Sequence, residues 1–253
     1  MTLAAANPPK PWPYPRWIAH RGAGTLAPEN TLAAFRKGAE YGYRMFECDA
    51  KLSADDVVFL MHDAALQRTT NGHGIGGEQS WQQLSQLDAG SWHSRHYSGE
   101  PLPTLTSLAQ YCIRNHFFLN IEIKPTPGVE FKTGEIVAKQ AAHIWQHEKV
   151  PPLITSFQVE SLKGAQQAAP HLPRGLLLHS LPEGWLNTAK SLDCSAIVCQ
   201  YALWTAETVA AVHAAGMRCL SYTVNDEWAT QHLMALGTDG IITDRVDVFS
   251  PAS

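Results

Sequence analysis

Positive charge is in short supply: 19 lysines and arginines stand against 23 aspartates and glutamates, a net charge of −4 with histidine neutral. That balance supplies no basic field able to hold nucleic acid, so an anionic ligand has to be caught by a few local cations. Cysteines number five (Cys48, Cys112, Cys194, Cys199 and Cys219), an odd count with no CxxC pair. A disulfide framework is therefore not expected, and reduced, buried thiols in a reducing compartment are. No apolar run approaches the roughly 18 residues of a membrane span, and residues 1–17 have neither the basic start nor the long apolar stretch of an export signal. These absences point to a cytoplasmic protein, monomer or homodimer, with no nucleic-acid partner and no stable membrane association.

What is present suits one large domain. Apolar residues make up 45% of the 253 and charged residues 17%, enough to build a sizeable core. Prolines at 8, 9, 11, 13 and 15 predict an extended arm leading into the first strand. Short apolar runs at 16–19, 44–48, 117–123, 153–155, 175–178, 196–199, 218–222 and 240–243 read as strands. Helical stretches at 31–41, 104–115, 129–146, 158–168, 206–215 and 227–236 lie between most of them. Gly42, Gly216 and Gly237 follow helical runs, as helix stops do. Such alternation predicts an α/β fold of parallel strands with crossover helices. Eight strands at this length predict a (β/α)8 TIM barrel, which takes about 250 residues. One interval, from strand two to the strand at 117, is too long for a single helix. It is expected to hold an extra strand at 57–61 and a small insertion after strand two, residues 63–102, within a single 1–253 domain. Residues 81–87 of that insertion read as a short helix.

Polar groups fall at one end of these strands. His20 and Arg21 follow the first, Glu47 and Asp49 end the second, and Glu122 and Lys124 end the third. Ser156, Asn225 and Asp244 follow later ones. Parallel barrels carry their chemistry at the C-terminal strand ends, and ionisable groups are costly to bury unless paired or metal-bound. Side chains two apart on a strand share a face, so Glu47 aims with Asp49, and Glu122 with Lys124. Three converging carboxylates form an oxygen-rich site suited to Mg²⁺ or Ca²⁺; a salt-bridge network centred on Arg21 and Lys124 would use the same residues. His20 and His62, beside those carboxylates, fit a general acid and a general base. Arg21 and Lys124 fit phosphate contacts or charge balance.

Other signals carry less. His143 and His147 have a zinc-like spacing, but the glutamate of HExxH is missing. The glycine-rich stretch 71–77 does not join a strand to a helix start and reads as loop. Trp81, Trp92 and Tyr97 either cap a substrate pocket or pack the insertion.

An ordered set of short motifs resembles the glycerophosphodiester phosphodiesterase family: His20-Arg21-Gly22, Pro28-Glu29-Asn30-Thr31, Glu47-x-Asp49, His62-Asp63, Arg68-Thr69-Thr70-Asn71-Gly72, Glu122-Ile123-Lys124, Ser156-Phe157, Tyr222-Thr223-Val224-Asn225 and Asp239-Gly240-Ile241-Ile242-Thr243-Asp244. The stretches WPYPR, LAPENTLAA, DAGSW and GEPLP draw it closest to cytoplasmic bacterial members associated with glycerol-3-phosphate uptake. The resemblance implies a barrel with an insertion after strand two and one divalent ion, Mg²⁺ or Ca²⁺, held by Glu47, Asp49 and Glu122. It implies acid-base roles for His20 and His62 and phosphate contacts from Arg21 and Lys124. The implied reaction is hydrolysis of glycerophosphodiesters to sn-glycerol 3-phosphate and an alcohol, by way of a cyclic glycerophosphate. The chain departs from the family pattern at Tyr222, where tryptophan is usual. Two other readings remain: a lysophospholipid-acting phospholipase D or C relative, and a catalytically silent glycerophosphodiester-binding module.

Overall fold

The computed structural model describes residues 12–251. Prolines 8, 9 and 11 of the expected arm lie outside them. Eight parallel strands close into a barrel: β1 (Trp17–Ala19), β2 (Met45–Leu52), β4 (Phe118–Ile123), β5 (Leu153–Ser156), β6 (Arg174–Leu178), β7 (Ala196–Gln200), β8 (Arg218–Tyr222) and β9 (Gly240–Thr243). β1 closes the ring by pairing with β2 on one side and β9 on the other. The ninth strand, β3 (Val58–Leu60), lies antiparallel on the far end of β2. That pairing prolongs β2 to Leu52, beyond the 44–48 expected, because a strand continues as long as a neighbour accepts its backbone hydrogen bonds.

The helices are α1 (Leu32–Glu40), α2 (Trp81–Leu84), α3 (Leu105–Arg114), α4 (Glu130–Ile144), α5 (Val159–Ala168), α6 (Trp185–Ser191), α7 (Ala206–Ala214) and α8 (Glu227–Leu236). Thr31, Ser80, Thr104, Thr205 and Asp226 cap helix starts through their side-chain oxygens, each satisfying an N–H that the first turn leaves open. α2 ends at Leu84, not at residue 87, since the Ser85 and Leu87 amides close tight turns on Trp81, Gln83 and Leu84. α4 and α5 cross at Gly134 and Gly164. A methyl group at either would sit 1.9 Å from the Ser161 carbonyl oxygen or 2.1 Å from that of Phe131, so the two backbones touch without side-chain spacers.

Alternation along each strand divides the apolar residues into two sets. Ile18, Met45, Leu153, Leu177, Ala196, Val198, Leu220 and Ile242 fill the inside of the barrel. Phe46, Cys48, Ala50, Ile121, Ile123, Leu176, Ile197 and Ile241 pack outward under the helices. Each fully buried side chain of this kind is worth about 1.5–3 kcal/mol of transfer free energy. All five cysteines are buried thiols. The interior thus gives the barrel an apolar floor beneath its C-terminal mouth.

Between β3 and α3 the chain folds over a separate small core of Phe59, Met61, Leu66, Leu84, Ala89 and Leu102, with Trp81 and Leu87 against it. This segment docks on the loop between β1 and α1 and on the first turn of α1: the Ala33 amide donates to Glu100, Arg68 pairs with Glu29, and the His93 ring meets the Thr25 carbonyl. Tyr97 packs on the main core. Trp92 is 40% exposed and donates its indole N–H to the Ala89 carbonyl. Among the described residues no helix is long and apolar enough to cross a membrane.

Candidate active site

On β2 the inward positions are Met45, Glu47, Asp49 and Lys51, and on β4 Phe118, Asn120 and Glu122, with Lys124 one step past the strand end. β2 and β4 are neighbours in register, Asp49 beside Glu122, so the two strands aim their carboxylates at one place. Oxygens of Glu47, Asp49 and Glu122 lie within 4.8 Å of one another, and all three residues are buried.

Each carboxylate has some compensation. The Arg21 amide donates to Glu47 Oε2 at 3.0 Å. Arg21 can do this because it adopts φ 51°, and Gly24 follows at φ 56°. A side chain at Gly24 would strike the Asp244 backbone at 2.1 Å, so this turn needs glycine to lie against the end of β9. Asn30, at φ 60°, clasps Asp49 twice: its amide group donates to Oδ2 at 2.8 Å and its oxygen accepts the Asp49 amide at 3.0 Å. Lys124 Nζ stands 2.7 Å from Glu122 Oε1 and 4.0 Å from Asp49 Oδ1. Arg21 reaches Glu29 at 2.9 Å and Asp49 at 3.3 Å. Both cations proposed for phosphate are therefore already engaged with carboxylates.

The compensation is incomplete. Glu47 Oε1 and Asp49 Oδ1 are buried with no hydrogen-bond partner, and Glu122 Oε1 has only its ion pair, without a well-directed hydrogen bond. Burial, then repulsion from Asp49 and Glu122, holds the Glu47 carboxyl well above the usual range. Burial and Asp49 push Glu122 up to about 7 against the pull of Lys124. Asp49 goes the other way: burial opposes ionisation, but Arg21, Lys124 and His62 outweigh it and keep its carboxyl low. Orphaned, crowded carboxylate oxygens fit a hard divalent cation, which would relieve the repulsion that burial magnifies.

Two histidine–carboxylate pairs flank the cluster. His20 Nδ1 lies 2.6 Å from Asp244 Oδ1, and its Nε2 faces Glu47 Oε2 at 3.8 Å. Asn225 fixes Asp244 by donating to Oδ2 at 2.8 Å and accepting its amide at 2.9 Å. His62 Nδ1 lies 2.7 Å from Asp63 Oδ1, and Arg68 donates twice to Asp63 and twice to Glu29. Arg68 holds Asp63 far below the ordinary carboxylate range, and His20 and Asn225 lower Asp244 despite its burial. Both partners are thus ionised and accept an Nδ1–H, which leaves Nε2 of each ring for chemistry. Burial lowers the His62 pKa despite the nearby Asp49.

Several contributors were not assigned from the sequence: Glu29, Asn30, Asp63, Arg68, Asp244 and Lys51. Lys51 is 2% exposed, donates to the Lys124 carbonyl at 2.9 Å and is pushed down to about 8 by burial. Its parity with Glu47 and Asp49 was a readable signal. A second group of possible ligands, His213, Cys219 and Asp239, sits at the opposite end of the barrel. There Asp239 is already taken by Arg218, His213 and the Cys219 amide, and burial raises the thiol strongly.

Residues 20–248 match the model of the glycerophosphoryl diester phosphodiesterase family. The chain is 33% identical over 232 residues to a glycerophosphodiester phosphodiesterase of Caldanaerobacter subterraneus, covering 90% of this chain and 93% of that one. It is 30% identical over 238 residues to the Bacillus altitudinis protein of the same name, at 91% and 94% coverage. Among solved structures, an Oleispira antarctica phosphodiesterase in complex with the product sn-glycerol-3-phosphate superposes with a TM-score of 0.85 at 32% identity, over 91% of this chain and 93% of that one. A glycerophosphodiester phosphodiesterase from Agrobacterium tumefaciens gives 0.76 at 28% identity, over 95% and 100%. With more than two thirds of its length matched, the chain belongs to the glycerophosphoryl diester phosphodiesterase family.

Proposed function

We propose that this enzyme hydrolyses glycerophosphodiesters to sn-glycerol 3-phosphate and an alcohol, using one Mg²⁺ or Ca²⁺ ion held by Glu47, Asp49 and Glu122. The observation that carries the reading is the set of buried carboxylate oxygens without hydrogen-bond partners, flanked by two histidine–aspartate pairs. A bound cation would neutralise charge on the phosphate and acidify a nearby hydroxyl.

The chain's own groups do the rest. Arg21 and Lys124 would contact the phosphate oxygens, Arg21 as a fork and Lys124 as a point charge. Nε2 of one histidine removes the proton of the glycerol 2-hydroxyl as its oxygen bonds to phosphorus. Nε2 of the other protonates the departing alcohol oxygen as that P–O bond breaks. Water then opens the cyclic glycerophosphate with the two roles exchanged. Asp244 and Asp63 hold each ring's Nδ1–H and stabilise its protonated form. In this reading residues 63–102 are a subdomain inserted in a single domain, and its job is to bring Arg68 and Asp63 to His62. The protein works in the cytoplasm on small soluble substrates, as a monomer or homodimer, without nucleic acid or stable membrane association.

Release of glycerol 3-phosphate from glycerophosphoglycerol, before and after EDTA and with single metals added back, tests this. Turnover that disappears with EDTA and returns with Mg²⁺ or Ca²⁺ supports it. Folded protein with no turnover under any metal refutes it.

A further inference from the structure

Past the end of β4 the chain runs Lys124-Pro125-Thr126-Pro127-Gly128 toward α4. Its two prolines leave this loop poor in N–H donors, and the ladder between β2 and β4 stops just short of it, with Ala50 beside Ile123. The anchors of Lys124 come from β2. Its amide donates to the Ala50 carbonyl at 2.9 Å, and its carbonyl accepts from Lys51 Nζ at 2.9 Å. The turn at Gly76–Glu78 presses on the same loop, where a methyl group on Gly77 would sit 2.1 Å from Thr126 Oγ1. The Thr126 hydroxyl is buried without a hydrogen-bond partner, so it does not tie the loop down.

Lys51 is a costly anchor. It follows Glu47 and Asp49 on the inward face of β2 and is 2% exposed. Its ammonium makes that single hydrogen bond and, among the described residues, no ion pair. A buried charge with so few partners is unfavourable, and an apolar side chain of similar length would fill the space without that cost. Packing therefore does not call for a cation here, whereas the carbonyl it grips does. We infer that Lys51 is a positioning residue: by holding the Lys124 carbonyl it sets where the Lys124 ammonium stands for the substrate phosphate, and it adds nothing net to stability. The inference rests on the phosphate role proposed above for Lys124. The Lys124 ammonium rides on a flexible four-carbon stem, so its place depends on its backbone as well as on its contacts. Those contacts are Glu122 at 2.7 Å, Asp49 at 4.0 Å and the face of Phe157, 5.2 Å away at the ring centre. A misplacement of about 1 Å can cost up to about 100-fold, and a Lys124 loosened at its carbonyl should cost about tenfold.

The test compares the wild type with Lys51→Met, Lys124→Met and the double variant. Three quantities are measured: Kd for sn-glycerol 3-phosphate by titration calorimetry with Mg²⁺ or Ca²⁺ present, kcat and KM for glycerophosphoglycerol, and the urea unfolding midpoint. Lys51→Met should weaken product binding and raise KM, each about tenfold, with kcat within about threefold of the wild type. Its unfolding midpoint should be no lower than the wild type's. In the Lys124→Met background the same substitution should change product binding by less than about twofold, because the group it places is gone. Unchanged product binding in Lys51→Met or in Lys124→Met, a loss that persists in full beside Lys124→Met, or a lowered unfolding midpoint each overturns the inference and leaves the activity standing. Wild-type protein that releases no glycerol 3-phosphate with any metal overturns the activity, and the inference with it.

Discussion

Replacing Glu122 by glutamine should make the metal-free enzyme less sensitive to alkali. In the folded chain the Glu122 carboxyl ionises near 7 against an ordinary 4.5, because it is buried beside Asp49. Its protonated form therefore favours the fold. That contribution is complete below about pH 4.5 and is lost as pH rises through about 7. A shift of roughly 2.5 units corresponds to about 3 kcal/mol, and with only 11% of the side chain exposed solvent screening removes little of it. Glutamine cannot ionise, so the variant should escape this loss. Thermal unfolding of both proteins in EDTA, between pH 4.5 and 8, reads the difference. At about 2–4 °C per kcal/mol for a chain of this size, the variant should gain roughly 6–12 °C on the wild type across that window. Comparing pH dependence rather than absolute stability removes the cost of the lost ion pair to Lys124. Saturating Mg²⁺ or Ca²⁺ should restore the wild type at pH 8 and do far less for the variant. A gap between the two proteins that stays flat from pH 4.5 to 8 would refute the idea that carboxylate crowding is unrelieved without a cation.

Substitutions at four further residues separate roles. His20→Asn and His62→Asn should each lower kcat at least ~100-fold with unfolding midpoints close to the wild type, and a near-normal rate in either would remove that ring from the acid-base pair. Arg68→Ala frees Asp63 and Glu29 together, so kcat should fall about tenfold or more with KM little changed. Arg68→Lys should recover only part of it, because an ammonium cannot reproduce the fork that spans two carboxylates; full recovery would mean that charge alone matters. Asn30→Ala strips Asp49 of two buried hydrogen bonds and should cost about 3 kcal/mol in urea unfolding, and a loss under about 1 kcal/mol would show that water replaces them.

The parts of the site legible in the sequence were those that follow from strand periodicity. Glu47 with Asp49, and Glu122 with Lys124, share a face because alternate residues must, and the outward set of Ile121 and Ile123 follows from the same rule. The eight barrel strands and most helices were readable from the change between the two periods. The extra length of β2 was not, because it depends on β3 arriving alongside. The short helix α6 was not either: it starts after a left-handed Gly184 with no side-chain cap, so it carries no start signal. Arg68 meets Glu29 across 39 residues of chain, a contact that exists only once the inserted segment has docked. Asp244 was visible as a polar strand end, but its service to His20 depends on barrel closure, which brings β9 back to β1.

The bare crossing of α4 and α5 says something about how the site comes to exist. Two backbones in direct contact, joined by a short connection through β5, form a local tertiary unit, and local contacts form first because little loop entropy opposes them. Amide hydrogens at that crossing are expected to exchange with solvent among the slowest. That unit carries Phe157, with Glu122 and Lys124 on and just past β4 immediately ahead of it, whereas Glu47, Asp49 and His20 belong to β2 and β1, and Asp244 comes only with the final strand. A nascent chain emerging N-terminus first would hold Glu47, Asp49 and Glu122 long before the ring around them closes. Cation capture is then a late event, coincident with closure of the ring, and a truncation that removes β9 should leave a stable α4–α5 pair and no active enzyme.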